Sequence, residues 1–209
     1  MKKRLSLVCI FIFLFCASSS GKEKKKMDTL PLEGKKVVMV IANEDFRDEE
    51  YLTPKEILSQ AGAKITTVSS STETATGMLG AKVKPDILFS EIKVKDYDAV
   101  IFVGGVGASE YWNNSVAHKI AQETVKEGKL LAAICIAPVT LANAGVLKDK
   151  KATVFPSEGN RLVTKGAKYT AKPVEKDLDL NTKSKIITAQ SPKEAKLFAE
   201  EIKKTLLEK

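Results

Sequence analysis

The sequence predicts an α/β domain built on a mostly parallel sheet. Three observations carry this. Residues 37–42, 99–103 and 130–134 are apolar without alternation, the pattern of strands covered on both faces. Stretches of helical periodicity separate them, most clearly at residues 191–207. Each apolar run ends in a short loop and then a helix start, the order of units joined by right-handed crossovers. In such sheets ligands bind at the carboxyl ends of the strands. The loops after these three runs therefore share one rim.

Each element has its own signal. After the strand at 37–42 comes an acidic loop, residues 43–50, and then a helix over 50–61 closed by Gly62. Pro54 fits only the first turn of that helix. Residues 64–68 form a second strand and 69–76 a polar loop. Short pieces broken by Gly80 and Pro85 suggest a hairpin over 78–92. The strand at 99–103 runs into Gly104-Gly105-Val106-Gly107, and a helix is expected over 109–127, ended by Gly128. The strand at 130–134 ends at Cys135, and Pro138 starts a helix reaching about Ala144. A strand at 152–155, a short helix at 158–165 and a last strand at 185–189 follow. In the final helix Ser191, Pro192 and Glu194 spell a capping box with proline in the first turn. Its apolar stripe is Ala195, Phe198, Ala199, Ile202 and Leu206.

Charge argues against a nucleic-acid partner. The net +8 of the 209 residues is concentrated at the start. Residues 1–26 hold seven basic residues and one acid, which leaves +2 for residues 27–209. Residues 1–26 read as a targeting segment and tether ahead of a single domain at 27–209. Lys2-Lys3-Arg4 is a basic flank, and residues 5–17 are an apolar stretch of signal-peptide length. It is shorter than the ~20 residues of a spanning helix. Two fates fit: cleavage after Ser19, or a lipid on Cys16, which would be the one link to a membrane. An uncleaved anchor is the third. Export to a bacterial periplasm or cell envelope is the expectation. Cys9 and Cys16 lie in this segment, so the domain keeps a single thiol, Cys135, and forms no internal disulfide.

Cys135 carries the candidate chemistry. At a strand-to-helix turn, helix-terminal N–H groups favour a thiolate and can hold an oxyanion. The thiol is therefore expected to ionise well below its ordinary pKa of ~8.5. Its bland reading is a small core residue. Gly105 and Ile136 would supply the oxyanion N–H pair. The glycine loop lacks the third glycine of a dinucleotide fingerprint and follows an internal strand, so nucleotide binding is set aside. Among the acids of residues 43–50, most are expected to be solvated surface. Glu50 opens the helix and can point back to the strand ends, where burial would raise its pKa. His118, the only histidine, lies in a polar stretch and reads as an exposed helix residue.

Ala42-Asn43-Glu44 with Glu50 and Pro54, then Gly104-Gly105, then residues 133–138 followed by residues 144–147, match one family at its spacing. Over residues 35–207 the chain resembles the ThiJ/PfpI superfamily of the class I glutamine amidotransferase-like fold, which includes protein deglycases. The resemblance implies a flavodoxin-like three-layer sandwich, a strained nucleophile elbow at Cys135, a glutamate at Glu50 bonded to the thiol, and a homodimer. It implies a glyoxalase- or deglycase-like stress enzyme acting on reactive dicarbonyls or glycated proteins, without metal or organic cofactor. The alternative is a non-enzymatic stress protein, either a redox sensor oxidised at Cys135 or a holdase. A peptidase of this family would have histidine after the cysteine; Ile136 stands there instead. Phe155-Pro156 occupies the place of a histidine-proline pair in the deglycases.

Overall fold

A computed structural model describes residues 29–208. Residues 1–26, read from the sequence as a targeting segment, lie outside the described residues. The strands are β1 (Lys36–Val40), β2 (Glu44–Phe46), β3 (Lys64–Ser69), β4 (Ala75–Gly77), β5 (Lys82–Val83) and β6 (Ile87–Leu88) in the first half. The second half adds β7 (Ala99–Phe102), β8 (Leu130–Ile134), β9 (Lys151–Ala152), β10 (Lys168–Tyr169), β11 (Val174–Leu178) and β12 (Lys185–Ala189). The helices are α1 (Asp48–Gln60), α2 (Ser115–Lys126), α3 (Pro138–Asn143), α4 (Gly159–Thr164) and α5 (Ala195–Leu207).

The main sheet has seven strands in the order β11-β12-β8-β7-β1-β3-β6. All pairs are parallel except β11 with β12. Alternate residues of each central strand feed opposite cores, which explains the unbroken apolar runs. Val37, Met39, Ile101 and Ala132 pack with Phe198 and Ile202 of α5 and Leu58 of α1. Val38, Val40, Val100, Phe102 and Leu131 pack with Ile120 of α2 and Leu141 of α3. The result is a three-layer sandwich. A small β2-β4-β5 sheet and a β9-β10 pair sit beside it.

Several expected boundaries shift for local reasons. Helix α1 begins two residues earlier than expected, so Pro54 lies in its second turn. There it removes the amide that would have bonded the Glu50 carbonyl. The helix expected over 109–127 is two elements. A 3-10 segment covers Val106–Tyr111, and Asn114 then starts α2, its side chain accepting the N–H groups of Val116 and Ala117. The hairpin begins earlier, pairing β4 with β5, while β6 joins the main sheet. The strand expected at 152–155 is only the two residues of β9. The Ser191 hydroxyl donates to the Glu194 carboxylate instead of capping a backbone amide. The α5 stripe is buried as read, Phe198 completely. Phe198→Ala should therefore lower the unfolding free energy by ~3–5 kcal/mol, measured by urea denaturation.

Candidate active site

The sequence from Leu130 to Pro138 forces a change of direction. β8 is fully buried, and α3 starts only at Pro138. The intervening turn puts Cys135 in the left-handed region at φ 63°. For a residue with a Cβ this costs roughly 1–3 kcal/mol and persists only where the surroundings enforce it. Here they do. The Cys135 N–H donates to Ala189 O at 3.0 Å, and its carbonyl accepts Phe155 N–H at 2.8 Å. The next carbonyl, of Ile136, accepts the Trp112 indole N–H at 3.2 Å. Three separate segments thus hold one strained turn.

The four predicted site residues converge there. Glu50, in the first turn of α1, is fully buried, and Cys135 is 8% exposed. A Cβ on Gly104 would meet the Glu50 carboxyl and lie 2.5 Å from Cys135 Cβ, so only glycine lets carboxyl and thiol approach. Gly105, at φ 102°, runs against the backbone of Phe46 and Arg47, and Arg47 N–H donates to Gly104 O at 2.9 Å. The N–H groups of Gly105 and Ile136 face the Cys135 sulfur and favour its anion. No hydrogen bond to either Glu50 oxygen reaches full geometry. The thiol and Gly104 N–H act on that carboxyl by proximity alone.

Burial sets the electrostatics. Desolvation pushes the Glu50 carboxyl up to about 8, against smaller downward pulls from Cys135, Arg47 and Gly104. Desolvation, and then the Glu50 negative charge, push the Cys135 thiol up to about 12. The expected thiolate is therefore not freely populated beside an ionised carboxyl. Burial, invisible in the sequence, outweighs the N–H groups. The pair titrates as a unit. Once Glu50 holds its proton, the repulsion disappears and only burial opposes the two N–H groups at sulfur.

Two other expectations change. His118 is half-buried, its Nε2 2.8 Å from Trp112 O. Asn143 also donates to that carbonyl, at 2.8 Å. His118 thus supports the tryptophan that braces Ile136. Among the acids, Asp48 is buried rather than solvated. It accepts Leu79 and Ala81 N–H, both at 2.8 Å, and so clamps the turn between β4 and β5. Glu49 pairs with Arg47 through two hydrogen bonds, of 2.8 and 3.0 Å. Among the described residues no cluster of three or more acid, histidine or cysteine side chains is arranged to hold a metal.

A pocket of about 220 Å³ opens over the thiol. Its walls are Arg47, Met78, Gly105, Val106, Ile136, Phe155 and Pro192. Sequence reading did not place Met78 or Pro192 at the site: Met78 arrives from a turn, and Pro192 was read only as part of the capping box of the last helix.

Two predictions follow from this geometry. Gly104→Ala adds a Cβ that collides with the Glu50 carboxyl and Cys135 Cβ, and should lower the unfolding free energy by ~1–3 kcal/mol, measured by urea denaturation. The second concerns pH. Glu50 binds a proton in the folded state up to about 8 but releases it near 4.5 when unfolded. The folded state then holds more protons in this window, so stability falls as pH rises from about 4.5 to about 8. Glu50→Gln should remove that part of the slope in denaturation midpoints measured across the window.

The sequence model of the DJ-1/PfpI family matches residues 35–205. An uncharacterized protein of Methanocaldococcus jannaschii is 37% identical over 210 aligned positions, covering 98% of this chain and 97% of that protein. A deglycase of Pyrococcus horikoshii is 33% identical, covering 64% of this chain and 80% of that one. A glutathione-independent glyoxalase of Caenorhabditis elegans is 27% identical, covering 82% and 89%. The crystal structure of a ThiJ/PfpI domain protein from Brachyspira murdochii superimposes with a TM-score of 0.76 at 30% identity, covering 83% of this chain and 98% of that one. These relatives overturn the expectation of export to a bacterial periplasm or envelope. The near-full-length match is archaeal, and other relatives come from archaea and an animal. A basic flank with a short apolar run is a compositional signal that does not by itself make an export signal. With the fold, the glycine-lined approach of Glu50 to Cys135 and the matched span in agreement, the chain belongs to the DJ-1/PfpI family.

Proposed function

We propose that the protein is a cofactor-independent glyoxalase or deglycase-like enzyme that uses Cys135 and Glu50 on reactive dicarbonyls or their adducts. The observation that supports this most is the buried carboxyl beside a thiol whose anion faces two N–H groups. Relatives named as a deglycase and a glyoxalase agree with it.

The chemistry balances without an external oxidant. Cys135 gives its proton to water, and the sulfur lone pair of the thiolate adds to the aldehyde carbon of a 2-oxoaldehyde while the carbonyl electron pair moves onto oxygen. Gly105 and Ile136 N–H groups hold that oxyanion. Glu50, protonated at neutral pH, gives it the proton, leaving a hemithioacetal and a carboxylate. Addition consumes the thiolate, so burial alone then opposes the carboxylate charge. Glu50 takes the proton from the former aldehyde carbon, leaving an enediolate; the hydroxyl proton on the first oxygen passes to the second, and Glu50 returns its own proton to the neighbouring carbon, which gives a thioester. The first carbon is oxidised and the second reduced within one molecule. Water cleaves the resulting thioester, releasing a 2-hydroxy acid and regenerating the thiol. A pKa of about 8 suits a group that must act as acid and then as base near neutrality.

The homodimer expected from the resemblance is part of this reading, and sedimentation of the purified chain measures it. The activity test is 2-hydroxy acid production from methylglyoxal. Cys135→Ser should abolish it. Glu50→Gln keeps the shape but cannot relay a proton, so it should lose ~10²–10⁴ in rate. Activity surviving in Cys135→Ser would remove the covalent mechanism, and a wild type inert toward dicarbonyls would remove the function.

A further inference from the structure

The walls of the Cys135 pocket carry more information than its nucleophile. Five of its lining residues are Met78, Val106, Ile136, Phe155 and Pro192, all apolar. Three of these are large side chains left open to solvent: Met78 at 40%, Val106 at 58% and Phe155 at 39%. Exposed apolar groups gathered around a reactive thiol leave a surface that a bound ligand would cover. The one charged lining residue is Arg47, and its guanidinium is already joined to Glu49 by two hydrogen bonds. The pocket therefore offers apolar contact and no free unpaired charge.

The walls are also fixed before any ligand arrives. Phe155 is tied to the nucleophile itself, its N–H donating to Cys135 O. Met78 N–H donates to Phe46 O at 2.9 Å, and Asp48 clamps the two amides that follow in the same turn. Val106 follows Gly105, whose N–H faces the sulfur. The backbone contacts that set the thiol thus also set the apolar walls, so little ordering is needed on binding. Size points the same way. An apolar cavity of about 150 Å³ takes a benzene ring, and this one is about 220 Å³. That leaves room for a ring and the two carbonyl groups, and it is poorly filled by a methyl group.

We infer that the site selects neutral 2-oxoaldehydes bearing an aryl or branched-alkyl substituent, with the substituent seated against Met78, Val106 and Phe155. Small polar dicarbonyls are poorer substrates. This inference rests on the dicarbonyl reading of the site for its turnover arm, but its binding arm does not.

The turnover arm compares kcat/KM for phenylglyoxal and methylglyoxal. A hydrophobic pocket discriminates roughly tenfold or more per well-seated apolar group, so the aryl substrate should lead by at least about that factor. Phe155→Ala keeps the backbone N–H that holds Cys135 and should shrink the ratio, as should Val106→Ala. A ratio at or below one in the wild type, or a ratio unmoved in both variants, overturns the inference while leaving the dicarbonyl function standing. The binding arm measures protection of Cys135 from iodoacetamide by mandelamide and lactamide, neutral and unreactive amides differing in a phenyl or a methyl group. Mandelamide should protect at a roughly tenfold lower concentration, and Phe155→Ala should narrow the gap. Equal protection overturns the inference whether or not the protein turns over any dicarbonyl. A wild type that processes neither substrate but is protected selectively by mandelamide refutes the function and sustains the pocket's selectivity.

Discussion

One constraint governs the site: a buried pocket that holds one negative charge cannot comfortably hold two. Glu50 is fully buried, and Cys135 is nearly so. Burial raises the cost of ionising both, and the charge of an ionised Glu50 raises it further for Cys135. The carboxyl responds by keeping its proton to about 8, while the thiol beside a charged Glu50 resists ionisation to about 12. A carboxyl that rests neutral can donate to an oxygen that becomes charged. A neutral Glu50 spares the thiol the carboxylate's repulsion and leaves burial opposing the two backbone N–H groups.

The rest of the fold enforces that proximity. β1, β7 and β8 lie side by side in parallel register, so the loops after them open on the same edge. The loop after β1 delivers α1 and Glu50. The loop after β7 delivers Gly104 and Gly105, and β8 delivers Cys135. The strained φ at Cys135 is held by bonds from the β12 end, from Phe155 and from Trp112, three points far apart in sequence. Loss of any one loosens the nucleophile without touching it. The half-buried His118 and Asn143, both on Trp112 O, lie one step further out in the same support.

What the sequence disclosed was what periodicity and local chemistry can carry. The buried strands, the strand-to-helix turn at Cys135, the stripe of α5 and the convergence of Glu50, Gly105 and Ile136 were all legible, because each follows from a pattern or from the rule about strand ends. β11 escaped because Val-Glu-Lys-Asp-Leu has little apolar content and lies on the sheet edge, paired antiparallel. The break at Asn113-Asn114 escaped because the helical composition continues across it, although Asn114 is a good cap. Asp48 looked like surface among its acidic neighbours, since nothing in residues 43–50 tells that two amides thirty residues away will need an acceptor. Burial was the costliest omission. The turn alone suggested a readily ionised thiol, and only the packed environment reverses that for the state with Glu50 charged.

The protonation of Glu50 is the claim on which the account turns. Isotope-edited infrared difference spectra between wild type and Glu50→Gln report it directly, because a protonated carboxyl has a C=O band that a carboxylate lacks. The account predicts that this band is present at pH 7 and is lost as the pH passes about 8. A carboxylate signature already complete at pH 6, with no protonated band, would contradict it.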